Sequence, residues 1–183
     1  MKVYVINGPN INLLGTREPE IYGYETLDDI SEKCIEIGKK KGIDVKFMQS
    51  NYEGDLVSWI QDAIKNKIDA IVINAAAYTH TSIAIHDAFK SFSGFKVELH
   101  ISNPHLRESF RHATYVAPAA DAVGTGEYDS GIGICRRSGR RRNGRPFLEA
   151  ADSSPWRSVR RAPHSPSSRP ACSISALPSP LLY

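Results

Sequence analysis

Lys2 to Asn7 is a short β-branched run closed by Gly8-Pro9, the pattern of a buried strand. A polar loop from Gly15 to Glu25 follows. Thr26 then sits where a helix cap belongs, and Asp29 is placed to reach back to the freed amides. Leu27, Ile30, Cys34 and Ile37 recur at helical spacing as its inner stripe, and Gly42 ends it. Ile43, Val45 and Phe47 alternate as a second strand. Ser50 and Glu53 have capping-box spacing ahead of a helix carrying Leu56, Val57, Ile60 and Ile64. Ile68 to Asn74 is almost wholly apolar, as expected of a strand covered on both faces. Thr81 is the expected cap of a helix through Phe89, and Phe95 to Ile101 reads as a fourth strand. Strands separated by helices of this length predict βαβ units, a parallel sheet and a doubly wound α/β class.

A fifth strand is due near Asp121-Ala122-Val123, but the vocabulary changes there. Through Val123 the chain has ten Lys, three Arg and sixteen acidic residues, a net of −3; from Gly124 onward it has ten Arg, no Lys and four acidic residues, a net of +6. Seven of the eleven prolines also follow Val123. Such different halves are not expected to share one core. The prediction is a core over 1–123 and an Arg/Pro/Ser-rich tail over 124–183, too poor in apolar runs to offset the entropy of ordering. An abrupt switch from Lys-rich to Arg/Pro/Ser-rich text is also what a shifted reading frame produces.

Three cysteines, Cys34, Cys135 and Cys172, lack metal or redox spacing, which predicts a reducing compartment. The opening Val3-Tyr4-Val5-Ile6 is too short for a signal peptide or membrane span, so a cytoplasmic protein without membrane partners is expected.

In open α/β sheets, ligands bind beyond the carboxyl ends of the strands. Polar loops fall at three such ends: Asn7-Gly8-Pro9-Asn10, Asn74 leading into Tyr78-Thr79-His80-Thr81-Ser82, and Glu98-Leu99-His100-Ile101-Ser102-Asn103. Glu98 and His100 are two apart on a strand and so face one side. A buried Glu beside a His calls for a hydrogen-bonded pair, because buried charge is costly; a partly exposed strand end is the plainer alternative. His80 fits either a surface or capping role or substrate contact. His86 suits an interface or solvent, and His105 and His112 suggest no chemistry. No HExxH or comparable spacing is present, which argues against a metal. Arg17 and Tyr22 lie in a loop that reads as a solvated turn, or as a lid over the strand ends. Arg107 and Arg111 are spaced to share a helical face, suiting an anionic substrate or a surface salt bridge.

The segments VINGPNINLLGTREPEIYG, INAAAYTHTS and VELHISNPHLRESFRHATY, with QSNYEGDLVSWI between them, resemble type II 3-dehydroquinate dehydratases in order and spacing over residues 2–123. The resemblance implies a flavodoxin-like fold with no metal or organic cofactor. It also implies a homododecamer built from trimers, and elimination of water from 3-dehydroquinate to give 3-dehydroshikimate. By the same resemblance Tyr22 is the base, with Arg17 and Arg107 favouring its phenolate. Asn10 holds a water at the enolate, and His100 is the acid oriented by Glu98. Asn74 and the amides of Ile101 and Ser102 take the substrate carboxylate, His80 and Arg111 contact ring hydroxyls, and Asp87 reaches a neighbouring subunit. The family continues past the position of Val123 into a fifth strand and a C-terminal helix, and here that segment is expected to be replaced by the unrelated tail.

Three rivals remain. A nucleotide-binding α/β protein would need GxGxxG or GxxxxGK[ST], and both are absent. Nucleic-acid binding through the arginine runs is possible in principle, but out-of-frame coding accounts for them, so no nucleic-acid partner is expected. The last rival is a core that matches the enzyme yet cannot assemble or act.

Overall fold

The computed structural model describes residues 1–16 and 24–139. Five strands, β1 (Lys2–Asn7), β2 (Asp44–Gln49), β3 (Ala70–Asn74), β4 (Phe95–His100) and β5 (Ala122–Thr125), form one sheet in the order β2-β1-β3-β4-β5. All four pairings are parallel. Among the described residues four α-helices cover the sheet: α1 (Leu27–Lys41), α2 (Glu53–Lys65), α3 (Ile83–Ser91) and α4 (Tyr128–Gly139). The doubly wound α/β expectation holds, and the strand order reverses between β1 and β3, the switch point where such sheets bind ligands.

Side-chain alternation sorts the core into two layers. Tyr4, Ile6, Ile71 and Ile73 pack with Leu56 and Ile60 of α2 and Ile85 and Phe89 of α3. On the other face Val3, Val5, Val72, Val97 and Leu99 pack with Cys34 of α1 and Tyr128, Ile132 and Cys135 of α4. β3 is buried at every position, as its apolar run predicts.

Local signals are met unevenly. Thr26 caps α1 in a full capping box with Asp29, and Gly42 ends the helix in the left-handed region at φ 68°. Those bonds to Thr26 hold the Asp29 carboxyl below the usual carboxylate range. Ser50 and Glu53 do not form the expected box. The Ser50 hydroxyl accepts from the Tyr52 amide at 3.0 Å and donates to Asp55 at 2.5 Å, stabilising the entry to α2 without capping it. The cap of α3 is Ser82, which accepts from the Ile85 amide at 2.8 Å; the expected Thr81 instead closes a preceding 3-10 turn.

The larger correction concerns the C-terminal segment. The fifth strand and C-terminal helix are present. β5 pairs with β4 from Val97↔Ala122 to His100↔Thr125, and α4 follows at once. Lys96 secures the entry: its amide donates to Asp121 Oδ2 at 2.9 Å, and the Asp121 amide donates to the Lys96 carbonyl at 2.9 Å. α4 is rich in Gly and Ser, poor helix formers. Tertiary packing must therefore hold it, and Tyr128, Ile132 and Cys135, at helical spacing, present one buried stripe to the sheet. The expected tail beyond residue 139, including Cys172, lies outside the described residues.

Candidate active site

Gly8 brings the ends of β1 and β3 together. Its amide donates to the Asn74 carbonyl at 2.8 Å, and a Cβ there would meet the Ala75 carbonyl oxygen at 2.4 Å, so no larger residue fits this approach. Two residues later Asn10 takes a left-handed conformation at φ 67°, which Asn tolerates, and its amide donates to Asn51 Oδ1 at 2.9 Å.

Glu98 and His100 share one face of β4, as expected. Glu98 is fully buried, and its Oε1 lies 3.2 Å from His100 Nε2. The same oxygen accepts from the Thr79 hydroxyl and, at 3.2 Å, from Thr114. Glu98 Oε2 has no hydrogen-bond partner among the described residues. The His100 side chain is 12% exposed, so the imidazole stands between a dry carboxylate and the strand-end opening.

Asn74 belongs to the opposite face of the sheet. Its Nδ2 donates to the Tyr128 hydroxyl at 3.0 Å, which in turn donates to Asn7 Oδ1 at 2.6 Å. Burial pushes the Tyr128 phenol above its ordinary value. Asn7 Nδ2 donates to the Met48 carbonyl at 3.0 Å. Both asparagines are thereby fixed at the switch point.

His80 ends a 3-10 turn (Ala76–His80), and its Nδ1 bonds the Ala113 carbonyl at 2.6 Å, leaving Nε2 for other contacts. Arg107 and Arg111 do not share an α-helical face; they flank and occupy short 3-10 turns and converge on Glu108. Arg111 Nε donates to Glu108 Oε2 at 2.7 Å, and Arg107 Nε lies 3.6 Å from the same oxygen. Backbone hydrogen bonding and the Arg111 contact hold the Glu108 carboxyl below its usual range. Asp87 is exposed on α3. Arg17 and Tyr22 lie outside the described residues, but the ends of their loop are placed. Gly15 approaches the Tyr24 carbonyl, since a Cβ on Gly15 would lie 3.1 Å from that oxygen. Glu25 lines a cavity of about 260 Å³ together with Ile30, Lys33, Ile101, Gly126 and Tyr128. That cavity lies on the α1–α4 face and adjoins His100 through Gly126, whose amide donates to the His100 carbonyl at 2.8 Å. Its lining mixes apolar side chains with the charged Glu25, Lys33, Glu127 and Asp129.

Thr79, Thr114, Asn7 and Tyr128 carry much of the geometry without being singled out from sequence. Thr79 adjoins His80 in a polar loop, a signal that was available. Thr114 is 16 residues beyond Glu98 with no local pattern, and Tyr128 sits in the stretch whose composition argues against a core.

A buried glutamate–histidine pair at the carboxyl end of a parallel sheet is an arrangement able to pass a proton, and it suits an α/β enzyme of small molecules. The chain belongs to the family described as Dehydroquinase class II, whose model matches residues 1–134. The match thus runs past Val123 into α4. A 3-dehydroquinate dehydratase from Cereibacter sphaeroides is 54% identical over 121 residues, covering 66% of this chain and 82% of that protein. The "3-dehydroquinate dehydratase 2" of Ralstonia nicotianae is 49% identical over 140 residues, covering 74% and 91%. The type II dehydroquinase crystal structure from Propionibacterium acnes superposes with a TM-score of 0.72 at 36% identity, over 74% of this chain and 96% of that one. Among the described residues no group of three His, Cys, Asp or Glu side chains could hold a metal ion, and no helix is long and apolar enough to cross a membrane.

Proposed function

We propose that this chain is a hydro-lyase that removes water from 3-dehydroquinate to give 3-dehydroshikimate, the type II dehydratase step of the shikimate pathway. The Glu98–His100 pair at the end of β4, in a chain of this family, is the observation that carries the assignment. Tyr22, as the phenolate, takes a proton from the carbon beside the substrate ketone. An unassisted phenol has a pKa of about 10, so Arg17 and Arg107 are needed to favour the anion. The electron pair moves onto the ketone oxygen as an enolate, stabilised by a water held at Asn10. Collapse of the enolate expels the neighbouring hydroxyl, which leaves as water with a proton from His100. Asn74 and the amides of Ile101 and Ser102 receive the substrate carboxylate, while His80 and Arg111 contact ring hydroxyls.

Asp87, on the exposed side of α3, contributes to a neighbouring copy's site in a homo-oligomer built from trimers. Large apolar side chains left open, Leu106 at 84% and Phe110 at 63% exposed, support such self-association. Cytoplasmic placement belongs to the same proposal.

The test follows absorbance of the conjugated enone product. His100→Ala and Tyr22→Phe are each expected to lower kcat by on the order of 10²–10⁴-fold, the usual contribution of a positioned acid or base. Full turnover in Tyr22→Phe would remove that residue as the base, and a wild-type chain that neither binds nor converts 3-dehydroquinate would remove the function.

A further inference from the structure

Thr114 stands at the close of the last of the segments that carry the resemblance and has no role assigned to it there, yet it touches the fully buried Glu98. Its hydroxyl accepts from two backbone amides, Val116 at 3.2 Å and Ala117 at 3.1 Å. A hydroxyl has two lone pairs and one proton. Both lone pairs are thus occupied, and the Thr114 proton must point outward, to Thr79 Oγ1 at 2.8 Å or Glu98 Oε1 at 3.2 Å. Thr79 in turn finds no free acceptor on Thr114, so its own proton goes to Glu98 Oε1. Hydrogen-bond direction is therefore set by the two amides and runs one way, toward the carboxylate.

We propose that Thr114 and Thr79 are positioning residues whose one-way hydrogen-bond chain pins Glu98 Oε1 as an acceptor against His100 Nε2, leaving Nδ1 as the nitrogen that delivers the proton to the leaving hydroxyl. The last clause rests on the dehydratase assignment; the pinning does not. Donors from both threonines onto Oε1 favour its bare, accepting form, which places the proton between it and the imidazole on Nε2. The bare Oε2 fits the same picture: every donor in reach is gathered on the oxygen that faces the ring.

Neighbouring bonds hold Thr114 in place. His80 Nδ1 bonds the Ala113 carbonyl at 2.6 Å, and His86 Nδ1 bonds the Tyr115 carbonyl at 2.7 Å, so two imidazoles bracket the residue. The Tyr115 amide donates to the Thr79 carbonyl at 2.7 Å, joining the two threonines' segments directly. His86, which suggests only an interface or solvent from sequence, thus braces the segment that supports the site.

The experiment is nitrogen NMR of the full chain labelled in histidine, with the His100 signals identified by their loss in His100→Ala. Wild type is expected to show His100 protonated on Nε2 when neutral. Thr114→Val, which keeps the shape and removes the hydroxyl, should mix the two tautomers, and Thr114→Ser should restore the single one. In the turnover assay the valine variant should lose about tenfold in kcat with KM nearly unchanged, since neither threonine is placed on substrate. Tautomer mixing in a chain without turnover would uphold the pinning and count against the dehydratase assignment alone. A folded Thr114→Val and a folded Thr79→Val that both keep His100 wholly on Nε2 would overturn the proposal. If Thr114→Val fails to fold, the wild-type spectrum decides: a proton on Nδ1 with Nε2 bare overturns it.

Discussion

Replacing Tyr128 by Phe deletes one oxygen and keeps the ring, which separates hydrogen bonding from packing. That oxygen joins Asn7 at 2.6 Å and Asn74 at 3.0 Å, while the ring lies 5.8 Å from that of Phe47. Tyr128 is 4% exposed, Asn74 3% and Asn7 fully buried, so bulk water cannot reach the vacated position. Each lost bond removes about 1 kcal/mol net, and a buried amide group left bare costs about 1–3 kcal/mol, so a loss of about 2–4 kcal/mol is expected. With a urea m-value of about 2 kcal/mol per molar, the midpoint should fall by about 1–2 M at unchanged slope. Variants must be compared at one protein concentration, because self-association adds to apparent stability. There is also a signature in alkali. Burial raises the phenol's pKa in the folded chain, so the unfolded chain gives up its proton first. This contribution is complete below about pH 10 and drains away as pH rises further, and Tyr128→Phe should lack that decline. A midpoint within about 0.3 M of wild type would mean the phenol does not bridge the two asparagines, and the docking of α4 on the sheet would fall with it.

The thiols of Cys34 and Cys135 are both pushed by burial from 9.0 to about 12. Stability from keeping them protonated should be complete below pH 9 and decline from there toward pH 12, by about 1.4 kcal/mol per pH unit for each thiol. Urea midpoints across pH 8–11 should show a shallower decline in Cys34→Ala, and identical slopes would refute the burial. Gly8→Ala should destabilise the fold by at least about 1–3 kcal/mol, since the new Cβ meets fixed backbone at 2.4 Å, not a flexible side chain. A Gly8→Ala chain melting at the wild-type temperature would show that β1 and β3 do not approach as closely as described.

The parts of the fold that declare themselves in sequence are those built from adjacent residues. The Thr26–Asp29 box and the alternation that puts Glu98 and His100 on one side of β4 both depend on spacings of two or three. Capping is less legible where several hydroxyl residues are adjacent: Thr81 and Ser82 both qualify, and only the packing of α3 selects Ser82. The support of the site is nonlocal. Thr114 reaches Glu98 across 16 positions, and Tyr128 reaches Asn7 across 121, distances over which no periodicity operates. α4 is hidden for a different reason. Its glycines and serines point away from a helix, and the three buried residues that outweigh them gain their value only from a sheet already in place.

That last dependence has a bearing on how this chain can change. Once β4 exposes its outer edge and Val72 and Leu99 their side chains, the sheet acts as a template that tests incoming sequence for geometry, not wording. A strand-length spacer followed by a large residue and two more apolar ones at the right intervals satisfies it. Substitution should therefore be freely accepted at the solvent-facing positions of this terminus, while a single inserted or deleted residue between Thr125 and Ile132, which rotates all later side chains together, should not.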